Sequence, residues 1–530
     1  ARHSAAVVVD LGAGTDTLTF GGNGGTVTAS NIETITGGTS NDVLVLGSAV
    51  TSGTISLGSG TDSVTLGNFA NTVTLSNIET ITGGTSDDIV TLGTAVTGVV
   101  NLGAGTDELV LGDFANSVTV SNVETLTGGT SSDVVTLGSA ITSGTIDLGA
   151  GTDTLNLGNF THTLTLTNIE TVNGGSSNDT VTLGSAFTGS INLGSGTDTL
   201  TLGDFANTVT ATSIETITGG TSDDTIVFAA ALTGTVNLGA GTDTVTLGNF
   251  ANTVTVSNVE TITGGTSSDV VTLGTAVTSG SISLGAGTDT LTLGNFANTV
   301  TLSNIETATV GTSDDIVTLG AAASGAVNLG AGTDELVLGD FANTVTVSNV
   351  ETLTGGTSSD VVTLGAALSG SLDLGAGTDR LTLGNFANTV TASNIETITG
   401  GTSSDVVVLA TALSGVVNLG SGTDTLTLGD FANTVTISGV ETITGGTSDD
   451  TVVLGAAVTS GTINLGAGTD AITLGNFANT VTLTNIEAIT GGTSTDVVTL
   501  GSAVTSGSIS LGSGTDTLVL GNFANTLTIS

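Results

Sequence analysis

The sequence predicts an all-β fold, a parallel β-helix or β-roll solenoid with about two rungs per repeat of 45–46 residues. Three observations carry this. A glycine turn that delivers an aspartate onto a strand, Leu102-Gly-Ala-Gly-Thr-Asp107, returns twelve times at intervals of 45 or 46 residues. A second, related turn, Gly83-Gly-Thr-Ser-Asp-Asp88, returns eleven times between the first. The segments after both turns alternate apolar and hydroxyl-bearing residues, which puts one side of each strand inward. A fixed period of this length marks stacked units that bury their apolar face only against their neighbours.

The first turn ends at Asp16, Asp62, Asp107, Asp153, Asp198, Asp243, Asp289, Asp334, Asp379, Asp424, Asp470 and Asp516. The second ends at Asp42, Asp88, Asp133, Asp179, Asp224, Asp269, Asp315, Asp360, Asp405, Asp450 and Asp496. Repeats of 46 residues carry Thr-Ser-Gly where repeats of 45 have two residues, as in Thr51-Ser52-Gly53 against Thr97-Gly98.

In the repeat 62–106, Val64 and Leu66 alternate with Ser63 and Thr65, and the turn Gly67-Asn-Phe-Ala-Asn71 follows. Thr72 to Leu75 is the second strand. Asn77-Ile78-Glu79 breaks the alternation and Thr80 to Thr82 resumes it, so residues 76–82 read as a third side or a bulge of a long rung. Val90 and Leu92, then Val100 and Leu102, form a short rung. Strands of four to six residues rich in Val, Ile, Thr and Leu suit a pleated surface, and nothing has a helical period. Proline is absent, which leaves every amide free for a central ladder.

Residues 1–25 are an atypical N-terminal end, with Gly21-Gly-Asn-Gly-Gly25 in place of the usual corner, and the only visible cap. Residues 26–530 are one continuous repeat solenoid, expected to be a segment of a longer chain. The length of 530 residues would otherwise suggest several domains.

The composition narrows the function. Forty-seven acids face only Arg2 and Arg380, a net charge of −45. Nucleic acid needs a basic face and is excluded as a partner, and anionic lipid is disfavoured. Cations are favoured. No apolar run approaches the roughly 18 residues of a membrane span. Without cysteine there are neither disulfides nor thiolate metal sites, which fits a secreted or surface protein built without oxidative folding. His3 and His162 are unrepeated and far apart, and lysine is absent, so nucleophile–base pairs are lacking and no enzyme is expected.

If every rung starts alike, all 23 turn aspartates fall in one file along one edge. Like charges about 5 Å apart in a partly buried groove repel strongly, and carboxylate with backbone carbonyl oxygen is the donor set that Ca²⁺ takes. The alternative is that these side chains cap their turns, as Asx-turns do.

The turns resemble the nonapeptide Gly-Gly-x-Gly-x-Asp-x-apolar-x of RTX (hemolysin-type) calcium-binding repeats. Leu102-Gly-Ala-Gly-Thr-Asp-Glu-Leu-Val110 departs by leucine at the first glycine, and Gly83-Gly-Thr-Ser-Asp-Asp-Ile-Val-Thr91 by Ser86 at the third. The resemblance spans the chain in 23 degenerate copies and implies bound Ca²⁺, type I secretion and the company of long acidic bacterial surface proteins. Unlike the family, the edge opposite the turns shows no motif, so at most one edge is expected to bind metal.

Glu33, Glu79, Glu124, Glu170, Glu215, Glu260, Glu306, Glu351, Glu396, Glu441 and Glu487 form a second column, expected to be solvated or bonded at corners. Phe69 and its equivalents are expected to fill the core at one corner. Ile89, Val134, Val270, Ile316 and Val361 are expected to form an exposed row for side-to-side association. The expected function is an extracellular, Ca²⁺-stabilised rod of a bacterial surface layer, fibre or adhesin stalk. Self-association, lateral or end to end, and a cell-surface polysaccharide are the expected partners. The alternative is an ice- or polysaccharide-binding module that uses outer Thr-x-Thr ladders such as Thr72/Thr74.

Overall fold

The computed structural model describes residues 6–530, so Arg2 and His3 lie outside the described residues. All secondary structure in them is strand, and every ladder is parallel. The chain forms two compact units, residues 1–266 and 267–530. Each unit is a β-solenoid of two facing parallel sheets, and the chain enters them alternately.

The reference repeat shows how the coil is made. Its strands are Ser63–Thr65, Thr72–Ser76, Thr80–Gly84, Ile89–Leu92 and Thr97–Gly103. Each pairs with the next but one: Ser63 lies beside Thr80 and Thr80 beside Val99 in one sheet, Thr72 beside Ile89 and Ile89 beside Glu108 in the other. A repeat therefore contains five strands, which is two and a half turns rather than two. The residues expected to bulge instead make a corner and a further strand. Asn77 turns that corner at φ 55°, and asparagine tolerates this left-handed conformation. Beyond it the chain crosses to the opposite sheet as Thr80–Gly84.

The core is a stack of inward pairs. Val64 and Leu66, Val73 and Leu75, Val90 and Leu92, and Val100 and Leu102 are all 3% exposed or less. Ile78 and Ile81, on either side of the corner, are buried with them. Turns approach so closely at some places that only glycine fits: a Cβ on Gly83 would strike the Leu102 carbonyl. The atypical start joins the same stack. Val7–Asp10 pairs with Thr26–Ser30, and Val7 and Val8 remain exposed, so this strand extends a sheet rather than covering it.

Candidate functional site

Each turn aspartate stands immediately before a strand, at the edge where the chain enters a sheet. Because five is odd, successive repeats bring the same turn to opposite edges. The expectation of a single file is therefore overturned. In residues 1–266, one edge carries Asp42–Asp62, Asp133–Asp153 and Asp224–Asp243. The other carries Asp16, Asp88–Asp107 and Asp179–Asp198. In residues 267–530, one edge carries Asp315–Asp334, Asp405–Asp424 and Asp496–Asp516. The other carries Asp269–Asp289, Asp360–Asp379 and Asp450–Asp470. The restriction of metal to one edge falls with the file, since both edges carry the same pairs.

Around each pair runs a five-turn cassette of which the sequence shows only a part at first sight. Its members on one edge are Asn71, Asp88, Asp107, Glu124 and Ile141. Each polar side chain accepts from the main chain of the turn before it. The Asn71 N–H donates to Asp88 Oδ1 at 2.9 Å and its Nδ2 donates to the same oxygen at 2.8 Å. Asp88 N–H donates to Asp107 Oδ1 at 2.7 Å, and Asp107 N–H to Glu124 Oε2 at 2.9 Å. The apolar fifth member ends one cassette and opens the next: Val96 N–H donates to Asn116 Oδ1 at 2.9 Å. The glutamates thus bond at corners, the bland expectation for them. The aspartates do cap amides, but those of the neighbouring turn. The asparagines carry their own signal in the sequence. Asn71 to Asp88 is 17 residues, the same step as Asp62 to Glu79 and Asp107 to Glu124.

In most of the pairs this bonding uses only half of the carboxylate. Asp62, Asp88, Asp107, Asp133 and Asp153 are at most 1% exposed, and their Oδ2 atoms are buried without a hydrogen-bond partner. The same holds for Asp315, Asp334, Asp360 and Asp379 in the second unit. A buried carboxylate oxygen without a donor is costly. Burial, reinforced by the neighbouring acid, accordingly pushes Asp107, Asp153, Asp243, Asp334 and Asp470 up to about 6, against the pull of the amide bonded to Oδ1. Asp179 also rises to about 6. Its asparagine is replaced by His162, fully buried, whose Nδ1 accepts from Ile141 N–H and whose Nε2 donates to Leu157 O. Burial holds this imidazole below its usual range.

The donor set at each pair is hard oxygen, which suits Ca²⁺ or Mg²⁺ and not the softer metals. No group of three or more acidic, histidine or cysteine side chains suited to a metal occurs among the described residues. A cation at a pair would therefore rest on two carboxylates, such as Asp88 and Asp107, with backbone carbonyls and water for the rest.

Two other expectations fail on position. Phe69, Phe114, Phe205 and Phe431 are 37–39% exposed, at corners outside the core. The core positions beside them are already filled by Leu66 and Val73, and the ring lies over Gly67. Ile89, Val134 and Ile316 are exposed as expected, yet the odd strand count scatters them between two sheets, so they make no row.

No protein-family model matches the sequence, and no curated protein resembles it significantly.

Proposed function

We propose that the chain is a structural β-solenoid of the cell exterior, whose paired carboxylates take Ca²⁺ as part of the scaffold. One observation carries this reading: buried aspartate pairs with unbonded Oδ2 atoms, such as Asp88–Asp107 and Asp133–Asp153, recur along both edges. Groups repeated in this way, and closed to solvent, suit architecture better than turnover of a substrate. A cation that binds only the stacked state would supply folding free energy, so a chain with few ions available would stay unfolded. The resemblance to RTX repeats, with secretion ahead of folding in a Ca²⁺-rich medium, agrees with this. A surface layer, fibre or adhesin stalk is the setting, with further copies or a surface polysaccharide as partners. The experiment is circular dichroism and calorimetric titration at neutral pH, with and without Ca²⁺. β-Structure that forms or stabilises only with the ion supports the reading; a spectrum and melting curve indifferent to Ca²⁺ and to chelator refutes it.

A second reading, a polysaccharide-binding face, has one observation in its favour. In the first unit, Glu33, Ser52, Thr54, Thr72, Thr74 and Thr91 line a shallow recess, repeated at Glu124, Ser143, Thr145, Thr163, Thr165 and Thr182. Ice binding draws no such support, since exposed Val99 interrupts the ladder between Thr80 and Thr119.

A further inference from the structure

Three departures from the second unit's own pattern fall together in one repeat. The inward residue of the corner strand, Ile81 in the reference repeat, is Ala308 there, and the apolar fifth member of the cassette is Ala323. Val310 stands where the reference repeat has Gly83. These three changes act on one spot. Ala308 bridges Leu291 on one side and Val327 on the other. A side chain at the position of Gly83 meets the carbonyl of the next turn, so the turn must shift at Val310, and the pairing of Gly84 with Gly103 in the reference repeat has no counterpart there. The ladder beside it shifts register between Thr292 and Gly294, and the next strand shortens to Ala326–Asn328, against Thr97–Gly103 in the reference repeat.

The separation is visible in the backbone. Val99 N–H donates to Glu79 O at 2.9 Å, and Ala326 makes no such bond to Glu306. A Cβ on Gly98 would collide with Glu79 O, whereas one on Gly325 would stand 2.8 Å from Glu306 O. The result is a cavity of about 110 Å³. Leu302, Ile305, Ala308, Leu319, Ala323 and Val327 supply its apolar wall. At its rim Glu306 is exposed, with one oxygen accepting from Asp289 N–H at 2.8 Å.

We propose that this cavity is a binding pocket for a small apolar group, of the size of a benzene ring or an isobutyl group, carrying a cationic or hydrogen-bond-donating head. An apolar cavity of about 150 Å³ holds benzene, so one of about 110 Å³ takes most of such a group, with its remaining edge and the head at the open rim. Glu306 and the acidic surface select the head. Nothing else in the cassette needs two alanines and a wedge at one spot, and each costs the solenoid packing that its other repeats keep.

The test uses the full chain in buffer with physiological salt and excess Ca²⁺, titrated with benzylamine and with toluene and followed by methyl NMR. Benzylamine is expected to bind saturably at one site, shifting the methyls of Ala308, Ala323 and Val327, and toluene more weakly. The double variant A308I/A323V fills the cavity and should weaken binding by about tenfold or more. V310G, which lets the next turn close, should do the same. E306Q should weaken benzylamine while leaving toluene unchanged. Absence of saturable binding to the folded parent overturns the proposal. So does binding that survives in both A308I/A323V and V310G with their β-spectra intact, since the amine would then sit on the acidic surface at large.

Discussion

Raising pH should destabilise the ion-free solenoid, and Ca²⁺ should restore what is lost. Asp107, Asp153, Asp179 and Asp243 all lie in residues 1–266, and burial raises each from the ordinary 3.8 to about 6. A carboxyl with a raised folded value binds its proton more tightly in the folded chain. Its contribution is therefore fully present below pH 3.8 and is lost as pH climbs through 6. A rise of this size corresponds to at most ~3 kcal/mol per group, and relaxation and water entry around the ionised group reduce this to ~1 kcal/mol. Four groups together give a loss of ~4 kcal/mol, or a fall in Tm of several degrees for a unit of this size. The assay is thermal melting by circular dichroism in chelator from about pH 4 to 8, repeated with Ca²⁺ in excess. Stabilisation by Ca²⁺ should be large above about pH 7 and vanish near pH ~4, where protons hold the oxygens that the ion would take. A melting temperature that rises across the same range without Ca²⁺ would show that the carboxylates are not strained by burial. The account of the edges would then be wrong.

The remaining predictions separate the members of the cassette. Asn116→Ala removes the acceptor for Val96 N–H and the amide donor to Asp133, and should cost about 2–4 kcal/mol in urea unfolding. Gly128→Ala puts a methyl group against the Leu148 carbonyl and should cost at least as much, with local loss of amide-exchange protection in the flanking strands. Leu109→Ala opens a cavity at a fully buried position and should cost about 2–5 kcal/mol. Phe205→Ala, at an exposed corner, should cost under about 1 kcal/mol, and a core-sized loss there would refute its placement.

The strands and the inward pairs are legible in the sequence because alternation at period two is a direct imprint of the pleat. Val64 with Leu66 and Val90 with Leu92 read as inward, and both pairs are buried. The alternation conceals the true turn count at a single corner. Ile78 and Ile81 are three residues apart, an odd step that would put them on opposite faces of any one strand. Both are buried, so the chain must turn between them, and Asn77 makes that turn from the left-handed region. Missing this half turn places every later aspartate on the wrong edge at alternate repeats. The phenylalanines mislead for a different reason. Aromatic bulk usually signals a core, but a solenoid this thin fills its interior with one or two aliphatic side chains per strand.

The half turn also settles how the chain carries its charge. With two whole turns per repeat, every aspartate would fall on one edge, and no turn there would lack a carboxylate. With two and a half, an edge of the first unit runs Asp88, Asp107, Glu124, then Ile141 and His162, before the next pair at Asp179 and Asp198. From Glu124 to Asp179 is three turns, about 14 Å at the spacing of parallel strands. That exceeds the Debye length of about 8 Å at physiological ionic strength, so successive acidic clusters are nearly independent. The odd number of strands per repeat divides one continuous line of repulsion into separate sites, each small enough for one cation or a few protons to neutralise. Lengthening the repeat by a turn would then cost little. Deleting the strand Thr80–Gly84 from a repeat, which restores an even count, should force neighbouring pairs onto one edge and raise the Ca²⁺ concentration needed for folding.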